Sequence, residues 1–149
     1  SAMTQAVDAW FARRGWKVFP FQRAVWKAAI GGQSGLLHAN TGAGKTYAVW
    51  LAALQRSAQR KGKGMRVLWI TPMRALAADT ERALAESALD LAPTWKIGSR
   101  TGDTTSAQRA SQSRALEVLA LHPEAADPPD QPALIERKLK LLSTGAVDR

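Results

Sequence analysis

Residues 39 to 46 read ANTGAGKT, a set of types that suits one chemistry, the holding of nucleotide phosphates. Gly42 and Gly44 let successive backbone N–H groups turn inward and form a nest for an anion. Lys45 offers an ammonium to the β and γ phosphates, and the Thr46 hydroxyl can ligate Mg²⁺. The general pattern is Gly-x-x-x-x-Gly-Lys-Ser/Thr. Here Ala39 stands at the first glycine, and Gly44, Lys45 and Thr46 supply the rest. The loop residues Asn40, Thr41, Gly42, Ala43, Gly44, Lys45 and Thr46 are therefore candidate triphosphate ligands. Lys45 and Thr46 would carry catalysis, with Thr46 on the metal.

A loop of this kind works only between a strand and a helix, because the helix then presents its positive end to the phosphates. The flanking sequence supplies both expectations. SGLLHAN, residues 34–40, is a short apolar run expected to be a buried strand. YAVWLAALQRSAQR, 47–60, has helical periodicity, with the helix beginning near Lys45 and Val49, Ala52 and Ala53 on one face beside Leu51 and Leu54. Upstream, residues 4–14 predict a helix with Ala6, Trp10, Phe11 and Arg13 on its apolar side, stopped by Gly15. WKVFPF is expected to be extended or turned, since Pro20 biases Phe19 away from helix. Gln22–Ile30 predicts a second helix, ended by Gly31 and Gly32. The opening Ser1-Ala2-Met3 is set aside as a possible cloning scar.

Downstream, the basic loop KGKG leads into MRVLWIT, a strand expectation that Pro72 ends. Residues 73–92 predict a long helix burying Leu76, Ala83, Leu84, Ala88 and Leu91. TWKIGS predicts a third strand. RTGDTTS predicts a loop, with Ser106 as N-cap of the segment after it. Strands alternating with helices predict an α/β fold with a parallel sheet, whose ligands gather at the carboxyl ends of the strands.

Composition agrees with a folded α/β domain. The chain has 149 residues, 46% of them apolar, which is enough for a core. No apolar run is long enough to cross a bilayer. No cysteine is present, which excludes disulfides and thiolate metal sites and suits a reducing, cytoplasmic setting. His38 and His122 lack metal-ligand spacing. A net charge of +9 favours a polyanionic partner.

Beyond the loop itself, A-x-T-G-x-G-K-T resembles motif I of superfamily 2 helicases. FPFQ at 19–22 resembles a Q-motif, in which Gln22 would read the adenine edge; an amide can pair with N6 and N7 together. Trp16, Phe19 or Phe21 could cover the base, and the residues alone do not choose among them. TPMRALAADT at 71–80 resembles motif Ia, and TGDT at 101–104 the next nucleic-acid motif. The resemblance implies that Thr71, Pro72, Arg74, Thr101, Gly102, Asp103 and Thr104 hold the phosphates of a single strand. The segments WFARRGWKVFPFQ, GLLHANTGAGKT, VLWITPMRALAADT and TGDTTSAQR are most similar to bacterial large helicase-related proteins, the ligase-associated DEXH-box DNA helicases. The resemblance covers about residues 7 to 109. It implies a RecA-like P-loop lobe, ATP and Mg²⁺ as cofactors, and 3′-to-5′ translocation on single-stranded DNA in repair. Residues 1–31 would hold the N-terminal helices and Q-motif, and 32–149 a partial lobe.

The tail from 110 to 149 departs from that family. It contains no Asp-Glu-x-His, the motif that positions the attacking water and the metal. VLALHPE, 118–124, resembles a family strand ending in Thr-Pro-Glu, with His122 in place of threonine. Residues 133–142 predict an amphipathic helix. Asp148 stands near the expected first acid, but Arg149 follows it in place of glutamate. An incomplete lobe is expected, lacking its second RecA-like partner. Three readings follow: the motor lobe of a DNA helicase, a module that binds nucleotide without hydrolysing it, or another P-loop enzyme such as a nucleotide kinase. TPMRALA and TGDT weigh against the kinase, which has no use for two phosphate contacts along a strand.

Overall fold

In the computed structural model the described residues are 1–38, 44–62, 64–70, 77–100, 105–108, 110 and 118–121. They form two compact units: Ser1–Arg60 with Ser87–Pro93, and Lys61–Glu86 with Thr94–Arg149.

The first unit is helical. Helix α1, Ala2–Arg13, starts at Ser1, whose hydroxyl accepts from the Thr4 N–H at 3.3 Å. The opening three residues thus belong to the fold. Its buried side chains are Val7, Trp10 and Phe11, and Arg13 is exposed. The apolar stripe is therefore rotated from the expected Ala6–Trp10–Arg13 line. The bulk of Val7 beside Trp10 and Phe11 outweighs that of Ala6. Helix α2, Pro20–Ile30, has Pro20 in its first turn, where a missing N–H costs nothing. It ends at Gly31, and Gly32 takes φ 85°, a conformation open to glycine. Helix α3, Gly44–Ala58, buries Ala48, Trp50, Leu51, Ala52, Leu54, Gln55 and Ser57.

Val49 is 42% exposed, contrary to expectation. Trp50 is wholly buried in its stead, since its indole N–H finds the Ser87 hydroxyl at 2.7 Å. A buried indole that keeps its hydrogen bond contributes far more apolar area than a valine. Edge-to-face rings knit the rest of this core: Phe11 meets Trp26 at 5.7 Å between centroids. Trp10 meets Tyr47 at 5.5 Å in a tilted arrangement. The Trp10 indole donates to Asp90 at 2.9 Å, and the Arg14 guanidinium lies 3.7 Å from the centroid of the Trp10 ring.

The expected strand at 34–40 is not observed over its described part. Residues 33–38 carry no regular structure, and Leu36 is 92% exposed. An apolar run becomes a strand only where a neighbour completes its hydrogen-bond ladder. The described part of the first unit holds only helices, so no ladder forms there.

The second unit holds the sheet. Strands β1 (Val67–Ile70), β2 (Ile97–Arg100) and β3 (Val118–Leu121) pair in the order β1-β3-β2, all parallel. Val67, Val118 and Ile97 stand in one register line. Helix α4, Ala77–Leu91, lies between β1 and β2 in sequence, the crossover that parallel pairing requires. Leu84, Ala88 and Leu91 are buried along it as expected, whereas Ala83 is half-buried. Leu76 lies outside the described residues. After β2 the helical cap is Thr105, not Ser106. The Thr105 hydroxyl accepts from the Gln108 N–H at 3.2 Å, and Gln108 Oε1 accepts from the Thr105 N–H at 3.0 Å. This reciprocal pair is a capping box, and it places the first helical residue at 106. The tail beyond Leu121, with His122, Glu124 and Asp148, lies outside the described residues.

Candidate nucleotide-binding site

Of the sequence-predicted site residues, Gln22, Gly44, Lys45 and Thr46 are described; all four fall in the first unit. Asn40, Thr41, Gly42, Ala43, Thr71, Pro72, Arg74, Thr101, Gly102, Asp103 and Thr104 lie outside the described residues.

Gln22 is the third residue of α2 and only 1% exposed. A buried amide must find partners for both of its ends. Its Oε1 accepts from the Phe19 N–H at 2.9 Å, which fixes the chain as it enters α2. Its Nε2 donates to the Gly44 carbonyl at 3.0 Å, at the first residue of α3. One turn further along each helix, the Trp26 indole donates to the Tyr47 carbonyl at 3.3 Å. Residues 22 and 26 are four apart, and 44 and 47 are three apart, so each pair shares a helix face. Helix α2 is thereby pinned at two points to the first turn of the helix that follows the phosphate loop.

Gly44 is the closest approach in this arrangement. A Cβ built on it would stand 3.2 Å from Phe21 Cζ, 3.5 Å from Gln22 Nε2 and 3.7 Å from Phe19 Cδ2. The aromatic rings of Phe19 and Phe21 lie stacked, 5.9 Å apart at 11°. Phe19 remains 54% exposed, so one flat hydrophobic face borders the start of α3. Trp16 points its ring into the Trp10–Phe11–Tyr47 cluster while staying 44% exposed.

Lys45 and Thr46 occupy the first turn of α3 and are half-buried. No acidic residue sits in that turn, so the positive end of the helix keeps its field. An ammonium, a hydroxyl and the positive end of a helix, brought together at one helix start, can hold an anion. Among the described residues no cluster of three His, Cys, Asp or Glu could cage a metal. Of the described residues at this helix start, Thr46 is the one whose hydroxyl would be offered to a Mg²⁺ ion bound with the phosphates.

Two features were not foreseen from the sequence: the Trp26–Tyr47 strut and the contact of Gly44 with both phenylalanines. The first had a usable signal in the i, i+4 spacing of Gln22 and Trp26. The second had none, because it depends on how α2 meets α3.

Known proteins share this arrangement of sequence. A DEAD/DEAH box helicase family model matches residues 19–140. The chain is 33% identical over 139 residues to an Lhr helicase of Mycolicibacterium smegmatis, covering 84% of this chain and 9% of that protein. It is 30% identical over 140 residues to the Lhr helicase/uracil glycosylase of Escherichia coli, covering 80% of this chain and 9% of that one. The chain thus spans about a tenth of the length of these relatives. Among solved structures it resembles the DUF1998 helicase MrfA bound to DNA and AMPPNP. There the TM-score is 0.68 at 27% identity, over 79% of this chain and 16% of the other. It also resembles the Mycobacterium smegmatis helicase Lhr bound to ssDNA and AMP-PNP, with a TM-score of 0.62 at 33% identity over 83% of this chain and 17% of the other. With most of its residues matched by one helicase model, and its phosphate-loop helix fastened to the Gln22 segment, the chain belongs to the DEAD/DEAH box helicase family.

Proposed function

We propose that the chain is the RecA-like ATP-binding lobe of an ATP-dependent DNA helicase or translocase. The observation that carries the reading is the Gln22 bridge from the entry of α2 to Gly44. It couples a base-side segment to a phosphate-side segment, which an adenine nucleotide spanning both would need. Lys45 would neutralise the β and γ phosphates, and Thr46 would offer its hydroxyl to Mg²⁺, whose charge would stabilise the phosphates. Gln22 has one amide proton and one lone pair beyond the two bonds it makes, and a shift of its 1% exposed side chain toward the base would bring these to the adenine edge. Phe19 and Phe21 supply an apolar wall for the base.

Thr71, Pro72 and Arg74, with Thr101, Gly102, Asp103 and Thr104, follow β1 and β2 in sequence, at the carboxyl ends of the strands. Hydroxyls, backbone N–H groups and one guanidinium there suit the phosphates of a single DNA strand. Two structural relatives are described with DNA and an ATP analogue, which supports both ligands. The likeness to ligase-associated helicases adds DNA repair and a cytoplasmic setting to the proposal, together with a second RecA-like lobe as partner. The described helices include none long and apolar enough to cross a membrane. The 149 residues contain no Asp-Glu-x-His, so on their own they bind the nucleotide without turning it over appreciably.

The test is calorimetric titration with Mg²⁺ and a non-hydrolysable ATP analogue. The wild-type chain should bind, and Lys45→Ala should bind at least tenfold more weakly. Equal affinity in the two would remove Lys45 from the site and the reading with it.

A further inference from the structure

The carboxylates of the chain are segregated. None falls between Asp8 and Asp79, and the densest basic run in that interval is RKGKGMR, residues 60–66. The sheet gives this run a definite place. Arg66 immediately precedes β1, and Trp95 and Lys96 immediately precede β2. Because Val67 and Ile97 both align with Val118, both outer strands begin at the same edge of the sheet. Strands lie ~4.8 Å apart, so β1 and β2 are separated by about 10 Å across β3.

That gap is bridged by side chains. The Arg66 guanidinium lies 5.6 Å from the Trp95 ring centroid and donates to the Gly62 carbonyl at 2.6 Å. Gly62 and Gly64 take φ 105° and 113°, a backbone that a side chain would strain. Lys61 and Lys96 are exposed at this edge, and Trp95 is half-exposed. Glu117, next to β3 in sequence, is one carboxylate to weigh against these cations. The segments beginning at Thr71 and Thr101 leave from the other ends of the same strands.

We propose that this starting edge of the sheet is a second nucleic-acid contact, which grips the phosphate backbone of a strand away from the Thr71–Arg74 and Thr101–Thr104 segments. Lys61 and Lys96 supply exposed cations on either side of the Arg66–Trp95 pair. The half-exposed Trp95 indole meets Arg66 on one face, and its other face is the one on which an unpaired base can stack. An acidic protein would satisfy the charges but leave that face unused. The inference shares the nucleic-acid partner of the proposed function and is independent of nucleotide binding.

The experiment is fluorescence anisotropy of a labelled single-stranded oligonucleotide, titrated with the 149-residue chain over a range of KCl concentrations. The doubly substituted chain carries Lys61→Glu and Lys96→Glu. It should lose at least tenfold in affinity at low salt. Its salt slope should fall by about 1.4, from ~0.7 per phosphate contact on a single strand. Binding of the ATP analogue should not change. If charge reversal lowers the melting temperature, Lys61→Gln with Lys96→Gln gives the same comparison with smaller loss. Unchanged affinity and slope would overturn the proposal. So would polyglutamate displacing the oligonucleotide at equal charge concentration. A wild-type chain that fails to bind the ATP analogue, yet loses DNA on these substitutions, would refute the nucleotide site and leave the edge standing.

Discussion

Gln22 and Gly44 are joined across the start of two helices, with the Gln22 amide nitrogen 3.0 Å from the Gly44 carbonyl oxygen. The same amide holds the Phe19 N–H at 2.9 Å, so one buried side chain sets both the approach to α2 and the first turn of α3. Gln22→Ala would orphan a backbone donor and acceptor, at a cost of about 1–3 kcal/mol for each group that water does not reach. Gln22→Glu keeps the acceptor for Phe19 and loses the donor to Gly44. We expect both variants to weaken ATP binding and to abolish a preference for ATP over GTP. Competition between the two nucleotides against a fluorescent analogue measures this. Equal binding of both purines by the wild type would count against adenine reading by Gln22.

Gly44→Ala tests the fit of α3 against the phenylalanines. Alanine gains about 0.5–1 kcal/mol over glycine within a helix. Its methyl, however, would stand 3.2 Å from Phe21 Cζ, and that ring must shift. We expect global stability to change by less than ~1 kcal/mol and nucleotide affinity to fall. A melting curve and a binding titration on the same sample separate the two. A large loss of stability with intact affinity would show that the contact serves only the fold.

Asp90→Ala removes the acceptor for a wholly buried indole N–H, that of Trp10. The expected cost is about 1–3 kcal/mol. The half-exposed ion pair of Asp90 with Arg14, at 3.7 Å, adds little to this. Asp90→Asn retains an oxygen acceptor and should restore most of the stability. Denaturant melts of the three proteins test the order wild type, Asn, Ala.

Hydrolysis by the 149-residue chain should stay near background, with or without single-stranded DNA. A catalytic acid or base contributes about 10²–10⁴-fold and an arginine finger about 10³–10⁵-fold. The recognisable groups here are limited to Lys45 and Thr46. A coupled ATPase assay is the check. Robust DNA-stimulated turnover would show that the tail supplies the acids, with Glu124 and Asp148 the first to substitute.

Much of the helical content was legible because periodicity and punctuation agree. Gly15, Pro20 and Gly31 bracket α1 and α2, and branched residues mark β1. The start of α3 was legible because the glycine-rich loop ends at Gly44, and Lys45 and Thr46 fall in its first turn as expected. What was not legible depends on partners distant in sequence. Leu36 and Leu37 look like a strand until the lack of a ladder leaves them unpaired. Val49 and Trp50 are adjacent, and the buried one is Trp50, on the face it shares with Leu54 and Ser57 and with its indole N–H on the Ser87 hydroxyl. Thr105 and Ser106 are equally good caps by type, and Gln108 selects Thr105 by its distance of three residues. Gln22 was legible as a candidate base reader, but its two backbone bonds required the meeting of α2 and α3 to be known.

The sheet order β1-β3-β2 also has a consequence for how the chain acquires its structure. The strand at the centre is the last of the three to leave the ribosome. Until Val118–Leu121 emerges, β1 and β2 have no described neighbour to pair with, and both present open edges. Parallel pairing of this kind forms slowly, because long loops must close before any ladder bond is gained. The second unit therefore remains exposed to mispairing through most of its synthesis, while the helices α1, α2 and α3 can already pack. A chain cut ahead of residue 118 would keep those helices and lose both described ladders, β1-β3 and β3-β2.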